Sequence, residues 1–194
     1  MKKILYISSL AVVAIIIILA LSGLIRFNFV PDNSDVLVQD KLDPLNMSYM
    51  IGGEKFALIN GKAENTYTPD SATKNILTVF GQPVLGDLNG DDIIDAAVLL
   101  ENNPGGSGTF YYAVLILSTS NSFKPTNAML LGDRIAPQTV EIHDGRAVYN
   151  FAERKAGEPF TTPPSIGKSV WVYYDVKTGE IGEWVKGFEG ESNL

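Results

Sequence analysis

The chain has 194 residues, no Cys, one His, and 22 acidic against 15 basic side chains, a formal net charge of −7. Without Cys there is no disulfide, thiolate zinc, iron–sulfur cluster, thiol catalysis or lipidation at a Cys, and one imidazole disfavours the multi-histidine zinc hydrolases. Three bases (Lys2, Lys3, Arg26) fall in the first 30 residues, which hold no acid, so the rest carries 12 bases against 22 acids, a balance that excludes a phosphate-gripping nucleic-acid protein.

In chain order, the first element is the uncharged run Ile4 to Ile25, 22 residues centred on AVVAIIIILAL (Ala11 to Leu21). At about 1.5 Å rise per residue, roughly 20 apolar residues span a hydrocarbon core about 30 Å thick. Residues 1–30 are therefore expected to be a signal anchor forming one transmembrane helix; cleavage at Ala20-Leu21-Ser22 is the alternative. Lys2 and Lys3 precede the span, so the positive-inside bias keeps the N-terminus cytoplasmic. The rest of the chain is then held on the periplasmic or extracytoplasmic face of the cell membrane. The stretch up to Pro44, rich in Pro, Asp, Asn and Ser, reads as a tether over 31–44, and 45–194 as the outward domain.

Beyond the tether, short β-type runs alternate with turn chemistry. MSYMI (Met47 to Ile51) precedes Gly52-Gly53, and KFALI (Lys55 to Ile59) precedes Asn60-Gly61, a pair that tolerates the positive φ of a tight hairpin. SATKNIL (Ser71 to Leu77) is expected to start with one helical turn capped by Ser71. AAVLL (Ala96 to Leu100) and FYYAVLIL (Phe110 to Leu117) are the most apolar runs, and their shortness suits central strands. TVEIH and RAVYNF flank Asp144-Gly145, and WVYYDV and IGEWV flank Lys177 to Glu180, giving two more hairpins. No stretch after the anchor sustains a 3.6-residue apolar period, and no internal repeat is visible. The expected fold is mainly β: a single antiparallel β-sandwich or bent-sheet domain.

One segment carries recognisable chemistry. GDLNGDDIIDAAVLL (Gly86 to Leu100) puts Asp87, Asn89, Asp91 and Asp95 at loop positions 1, 3, 5 and 9, with the Ile93 carbonyl at position 7. Ca2+ takes six to eight oxygen ligands, and a tightly wound loop supplies them from alternate residues. Asp87, Asp91, Asp92 and Asp95 would repel one another in an empty loop, a cost that a divalent cation relieves. The pattern departs from an EF-hand at Asp92, where Gly is usual, and at Val98, where a bidentate Glu is usual; helical flanks are also missing. The competing reading is an Asx-rich turn that only caps a hairpin.

D-x-N-G-D-x-x-x-D running into a strand resembles the calcium loop of integrin-type FG-GAP repeats, and Phe80-Gly81 upstream echoes part of that name. The resemblance implies a local calcium site on Asp87, Asn89, Asp91 and Asp95. It does not extend to a propeller, which needs several such blades where this chain has one loop. From about Asn60 to Asp175 the chain also resembles a group of uncharacterised bacterial exported, lipoprotein-like domains. VFGQPVLGDLNGDD, NNPGGSGTFYY, LGDRIAPQTVEI and FAERKAGEPFTTPPSIG carry that likeness, which implies no activity.

Other motifs fail on inspection. NNPGGSG (Asn102 to Gly108) lacks the Lys of a phosphate loop, and Gly167-Lys168-Ser169 has Thr162 where a Gly is required, so no nucleotide is expected. The Gly cluster reads instead as the loop joining the two central strands. Gly105-Gly106-Ser107-Gly108-Thr109 misses a nucleophile elbow at its last residue, and His143 reads as a solvated turn residue rather than a base for Ser107. Asp133, Glu153 and Glu158 are the carboxylates available to a glycan hydrolase. The preferred reading is that Arg134 or Arg154 forks onto a carboxylate and pins a loop to the sheet. Tyr111, Tyr112, Trp171, Tyr173, Tyr174 and Trp184 alternate along strands, leaving one face for the core and the other free to stack a sugar or peptide.

Together these features suggest a membrane-anchored, extracytoplasmic domain with a calcium-stabilised loop, serving in binding or envelope structure with a protein or glycan partner. An envelope glycan hydrolase and a lipid- or peptide-handling accessory domain are the rivals.

Overall fold

A computed structural model describes residues 42–66 and 73–185. The expected anchor over 1–30, most of the tether and Ser71 lie outside these residues. Among the described residues no helix is long and apolar enough to cross a membrane. They begin with one 3-10 turn, Pro44–Asn46, because the Asp43 carboxylate accepts from the Leu45 N–H at 3.1 Å and from Asn46 Nδ2 at 2.6 Å. Pro44 is buried, and its carbonyl accepts from the Tyr49 hydroxyl at 2.7 Å.

The described residues then form twelve strands. They are β1 (Ser48–Ile51), β2 (Glu54–Ala57), β3 (Lys62–Thr66), β4 (Lys74–Gly86), β5 (Asp95–Asn103), β6 (Phe110–Ser118), β7 (Phe123–Pro125), β8 (Met129–Asp133), β9 (Ala136–His143), β10 (Arg146–Glu153), β11 (Ile166–Asp175) and β12 (Glu180–Trp184). All pairings are antiparallel. The strands make a β1–β2 hairpin, a six-stranded sheet in the order β3-β4-β5-β6-β7 with β8 also on β6, and a four-stranded sheet in the order β12-β11-β10-β9.

Two cores follow from this layering. Ala97 and Leu99 of β5 and Tyr111, Ala113 and Leu115 of β6 pack against Ala147, Tyr149 and Phe151 of β10 and Val170 and Val172 of β11, closing the sandwich between the two large sheets. On the other face of the six-stranded sheet, Ala96, Val98 and Leu100 of β5 and Val114 and Ile116 of β6 meet Tyr49, Ile51 and Phe56 of the β1–β2 hairpin. Strands covered on both faces need no polar alternation, which is why AAVLL and FYYAVLIL are nearly continuous apolar runs and occupy the centre of their sheet.

The hairpins at Gly52-Gly53, Asp144-Gly145 and Lys177 to Glu180 form as their turn residues require; Asp144 (φ 49) and Gly145 (φ 70) take up the left-handed region. Asn60 and Gly61 also turn with positive φ, but one bridge, Ile59↔Lys62, closes that turn, and β3 goes on to pair with β4. The helical turn expected within Ser71 to Leu77 is not found in its described part. From Lys74 the chain is strand, because the Leu77↔Ala63 register buries Leu77, and tertiary pairing overrides a weak local preference.

Strand β4 slips register between Phe80 and Val84, where Gly81 has φ 72 and Pro83 offers no N–H. The Phe80 ring is thereby set edge-on to Tyr111, centroids 6.2 Å apart. Prolines also lie in two strands at sheet edges, Pro125 in β7 and Pro137 in β9.

Candidate functional site

The acidic loop is the connection of the β4–β5 hairpin, closed by the Gly86↔Asp95 pair. Its winding follows from short side chains that hydrogen-bond the backbone just ahead of them. Asp87 Oδ1 accepts from the N–H groups of Gly90 (2.7 Å) and Asn89 (3.2 Å), and Oδ2 from that of Asp92 (3.1 Å). Asn89 Oδ1 accepts from Asp91 N–H at 3.0 Å, Asp91 Oδ1 from Ile93 N–H at 2.9 Å, and Asn89 Nδ2 donates to Asp91 Oδ2 at 3.0 Å. Asp92 reaches φ 64 at the position where Gly is usual in such loops.

Asp95 behaves differently from the other four residues of the predicted site. It is wholly buried; Oδ1 accepts from Ser118 N–H at 2.8 Å and Oδ2 from Leu88 N–H at 3.0 Å, so it ties the loop to the end of β6. The Ser118 hydroxyl completes the tie by donating to the Ile94 carbonyl at 2.6 Å. Burial pushes the Asp95 carboxyl above its ordinary pKa and the charges of Asp91 and Asp87 add to the rise, while its two amide bonds oppose it. Asp87 is held below the ordinary carboxylate range, chiefly by the Gly90 amide.

Asp87, Asn89, Asp91, Ile93 and Asp95 therefore share one loop, with three carboxylates electrostatically coupled through Asp95. No group of three or more His, Asp or Glu side chains among the described residues is drawn together as a ready metal cage. The donors present are all oxygens, the set that suits a hard cation such as Ca2+ rather than zinc. Leu88 and Ser118, which position Asp95, were not singled out by the sequence. Ser118 lies 23 residues downstream, and no local spacing signals that contact.

The second charged cluster is a loop clamp. Arg134 Nη2 meets Asp133 Oδ2 at 2.7 Å and its Nε reaches both carboxylate oxygens at 3.1 Å. The Arg134 guanidinium lies 3.6 Å from the centroid of Phe160. Arg154 donates to the carbonyls of Arg134 (2.8 Å) and Thr162, pinning the 155–165 segment to the sheet. The Arg134 fork lowers the Asp133 carboxyl, the opposite of what a general acid in glycan hydrolysis needs. Glu153 meets Lys168 Nζ at 3.3 Å and Glu158 accepts from Lys155 N–H at 3.0 Å. Neither is brought together with Asp133 by a hydrogen bond. His143 Nε2 meets Glu141 Oε2 at 2.9 Å and makes no hydrogen bond to Ser107. Replacing Arg154 by Ala is expected to lower stability by about 1–3 kcal/mol, leaving two carbonyls short of a donor. Limited proteolysis should then cut within 155–165 faster than in the parent chain.

The aromatic residues divide by face. Tyr111 and Tyr174 belong to the sandwich core and Tyr112 packs against the second core. Trp171, Tyr173 and Trp184 lie on the face of the four-stranded sheet turned away from the sandwich core, because they alternate along β11 and β12 with Val170, Val172 and Ile181, which face that core; Val148, paired with Trp171, is buried on their side of the sheet. Comparison of the chain with protein-family models, with curated proteins and with solved structures gave no match.

Proposed function

We propose that this protein is a membrane-tethered, outward-facing binding or scaffolding domain whose Asp87–Asp95 loop is closed by one Ca2+. The observation that carries the reading is the Asp87 carboxylate gathering the N–H groups of Asn89, Gly90 and Asp92 around itself, which winds the loop as an oxygen-donor cation loop is wound. Asp87, Asn89, Asp91 and Asp95 would supply side-chain oxygens and Ile93 its carbonyl. The cation would offset the mutual repulsion of three carboxylates, one of them buried, and fix where β5 begins. The tether rests on the uncharged run Ile4 to Ile25. A non-enzymatic role is favoured because Asp133, the most strongly engaged of the three candidate acids, is paired and lowered rather than raised.

Melting of the full chain with calcium and with chelator tests the proposal. At a calcium level about 100 times the dissociation constant, linkage gives about 2.7 kcal/mol, which for a chain of this size is a rise of roughly 5–10 °C. Asp87→Ala should abolish the calcium-dependent part. An unchanged melting point at millimolar calcium would leave only the hydrogen-bonded Asx turn.

A further inference from the structure

On the face of the four-stranded sheet turned away from the core, Trp171, Tyr173 and Trp184 are half-buried and Thr139, Glu141, His143 and Ser169 are exposed. Directly paired residues share a face, so Val148↔Trp171 and Trp171↔Trp184 set the two indoles side by side, ring centroids 5.8 Å apart. The His143 ring flanks Trp171 at 6.1 Å and the Arg146 guanidinium lies over Trp184 at 4.7 Å. Opposite Tyr173 stands Gly182, where a Cβ would come within 3.1 Å of the tyrosine ring, so the missing side chain gives that ring its place.

A polar row runs beside this aromatic slab on the same face. Ser169 Oγ donates to Asn150 Oδ1 at 2.6 Å, and Asn150 Nδ2 donates to Thr139 Oγ1 at 2.9 Å and Glu141 Oε1 at 3.2 Å. Glu141 Oε2 in turn meets His143. These side chains are exposed or half-buried yet already held by one another, so little rotamer freedom is left to lose when a ligand arrives.

We propose that this face binds an uncharged glycan chain, with sugar rings stacked on Trp171 and Trp184 and their hydroxyls bonded to Asn150 and Glu141. A pyranose is amphipathic in the way this face is: its C–H side is apolar and suits an indole, and its rim of hydroxyls both donates and accepts. Charge rules out a polyanion as that occupant. In a chain of net charge −7, this face carries three carboxylates, Glu141 and the cross-strand pair Asp175 and Glu180, against one guanidinium, Arg146, so it repels an anionic polymer. An apolar protein surface or lipid is the poorer fit, because docking it would strip water from Glu141 and Asn150 without replacing their bonds. The proposal rests on reading the molecule as a binding domain; it does not depend on the calcium loop.

Trp171 and Trp184 are the only two tryptophans in the chain, so indole emission reports this face alone. The full chain, in a detergent without a sugar headgroup, is titrated with hexasaccharides of glucose, N-acetylglucosamine and mannose. The expected result is a saturable emission change with at least one of them, at a dissociation constant of about 1 mM or tighter. Trp184→Ala, which leaves Trp171 as reporter, should weaken binding about tenfold or more. Asn150→Ala should weaken it several-fold while the far-ultraviolet circular dichroism stays unchanged. No saturable response to any of the three sugars overturns the proposal, as does unchanged affinity in both variants. An emission shift that follows protein concentration, with a dimer in sedimentation, assigns the face to a second copy and overturns it too. Binding accompanied by new reducing ends supports the glycan face and overturns the non-enzymatic reading.

Discussion

Replacing Asp95 by Ala is expected to destabilise the fold by roughly 2–6 kcal/mol, because it strands two buried amides that each cost about 1–3 kcal/mol when unsatisfied. Those amides belong to Leu88 and Ser118, both themselves buried. Removing the carboxylate also relieves a buried charge repelled by Asp91 and Asp87, which places the value in the lower half of that range without calcium. The sign of the pH dependence follows from the raised folded pKa. The contribution of Asp95 is fullest below the ordinary carboxylate range and declines as pH rises through the folded value. Asp95→Asn keeps one acceptor oxygen and should lose about half as much as Ala. Urea unfolding at pH 4 and pH 7 measures both variants; an Asp95→Ala chain as stable as the parent would show that this carboxylate does not hold the β4–β5 turn to β6.

Tyr149→Ala is expected to lose roughly 3–5 kcal/mol, the range for deleting a large ring from a core. Tyr149 is 1 % exposed and reaches from β10 across the sandwich to the central sheet, where its hydroxyl lies 3.2 Å from the Val98 carbonyl and 3.1 Å from that of Val114. One proton serves two acceptors, and burial pushes the phenol far above its usual pKa. Tyr149→Phe, which keeps the ring, should lose about 1 kcal/mol. Denaturant midpoints separate the two effects: the Ala variant should fall much further than the Phe variant with little change in slope. Equal losses would mean that the shared hydrogen bond, not the ring, holds the two sheets together.

Local chemistry was the readable part of this fold. Asp144-Gly145 and Gly52-Gly53 announce hairpins because few other residues accept positive φ, and AAVLL and FYYAVLIL announce central strands because they are apolar throughout yet too short for helices. The loop pattern located Asp87, Asn89 and Asp91 in one wound turn. What depended on distant pairing was not readable. Lys74 to Leu77 became strand through β3, and Asp95 found Ser118 through the β5–β6 register. The alternation of Trp171, Tyr173 and Trp184 foretold two faces, but the cross-strand register was needed to place the Asn150–Glu141 row beside them.

The rims of the sheets have a consequence for crowded molecules. An open strand edge recruits another chain by offering a regular series of amide donors and acceptors. Here Pro125 and Pro137 delete a donor from β7 and β9, Lys62 and Glu64 put charge on β3, and Glu180 and Glu183 do the same for β12. Copies packed densely side by side thus meet, at these four strands, rims that resist zippering into fibrils.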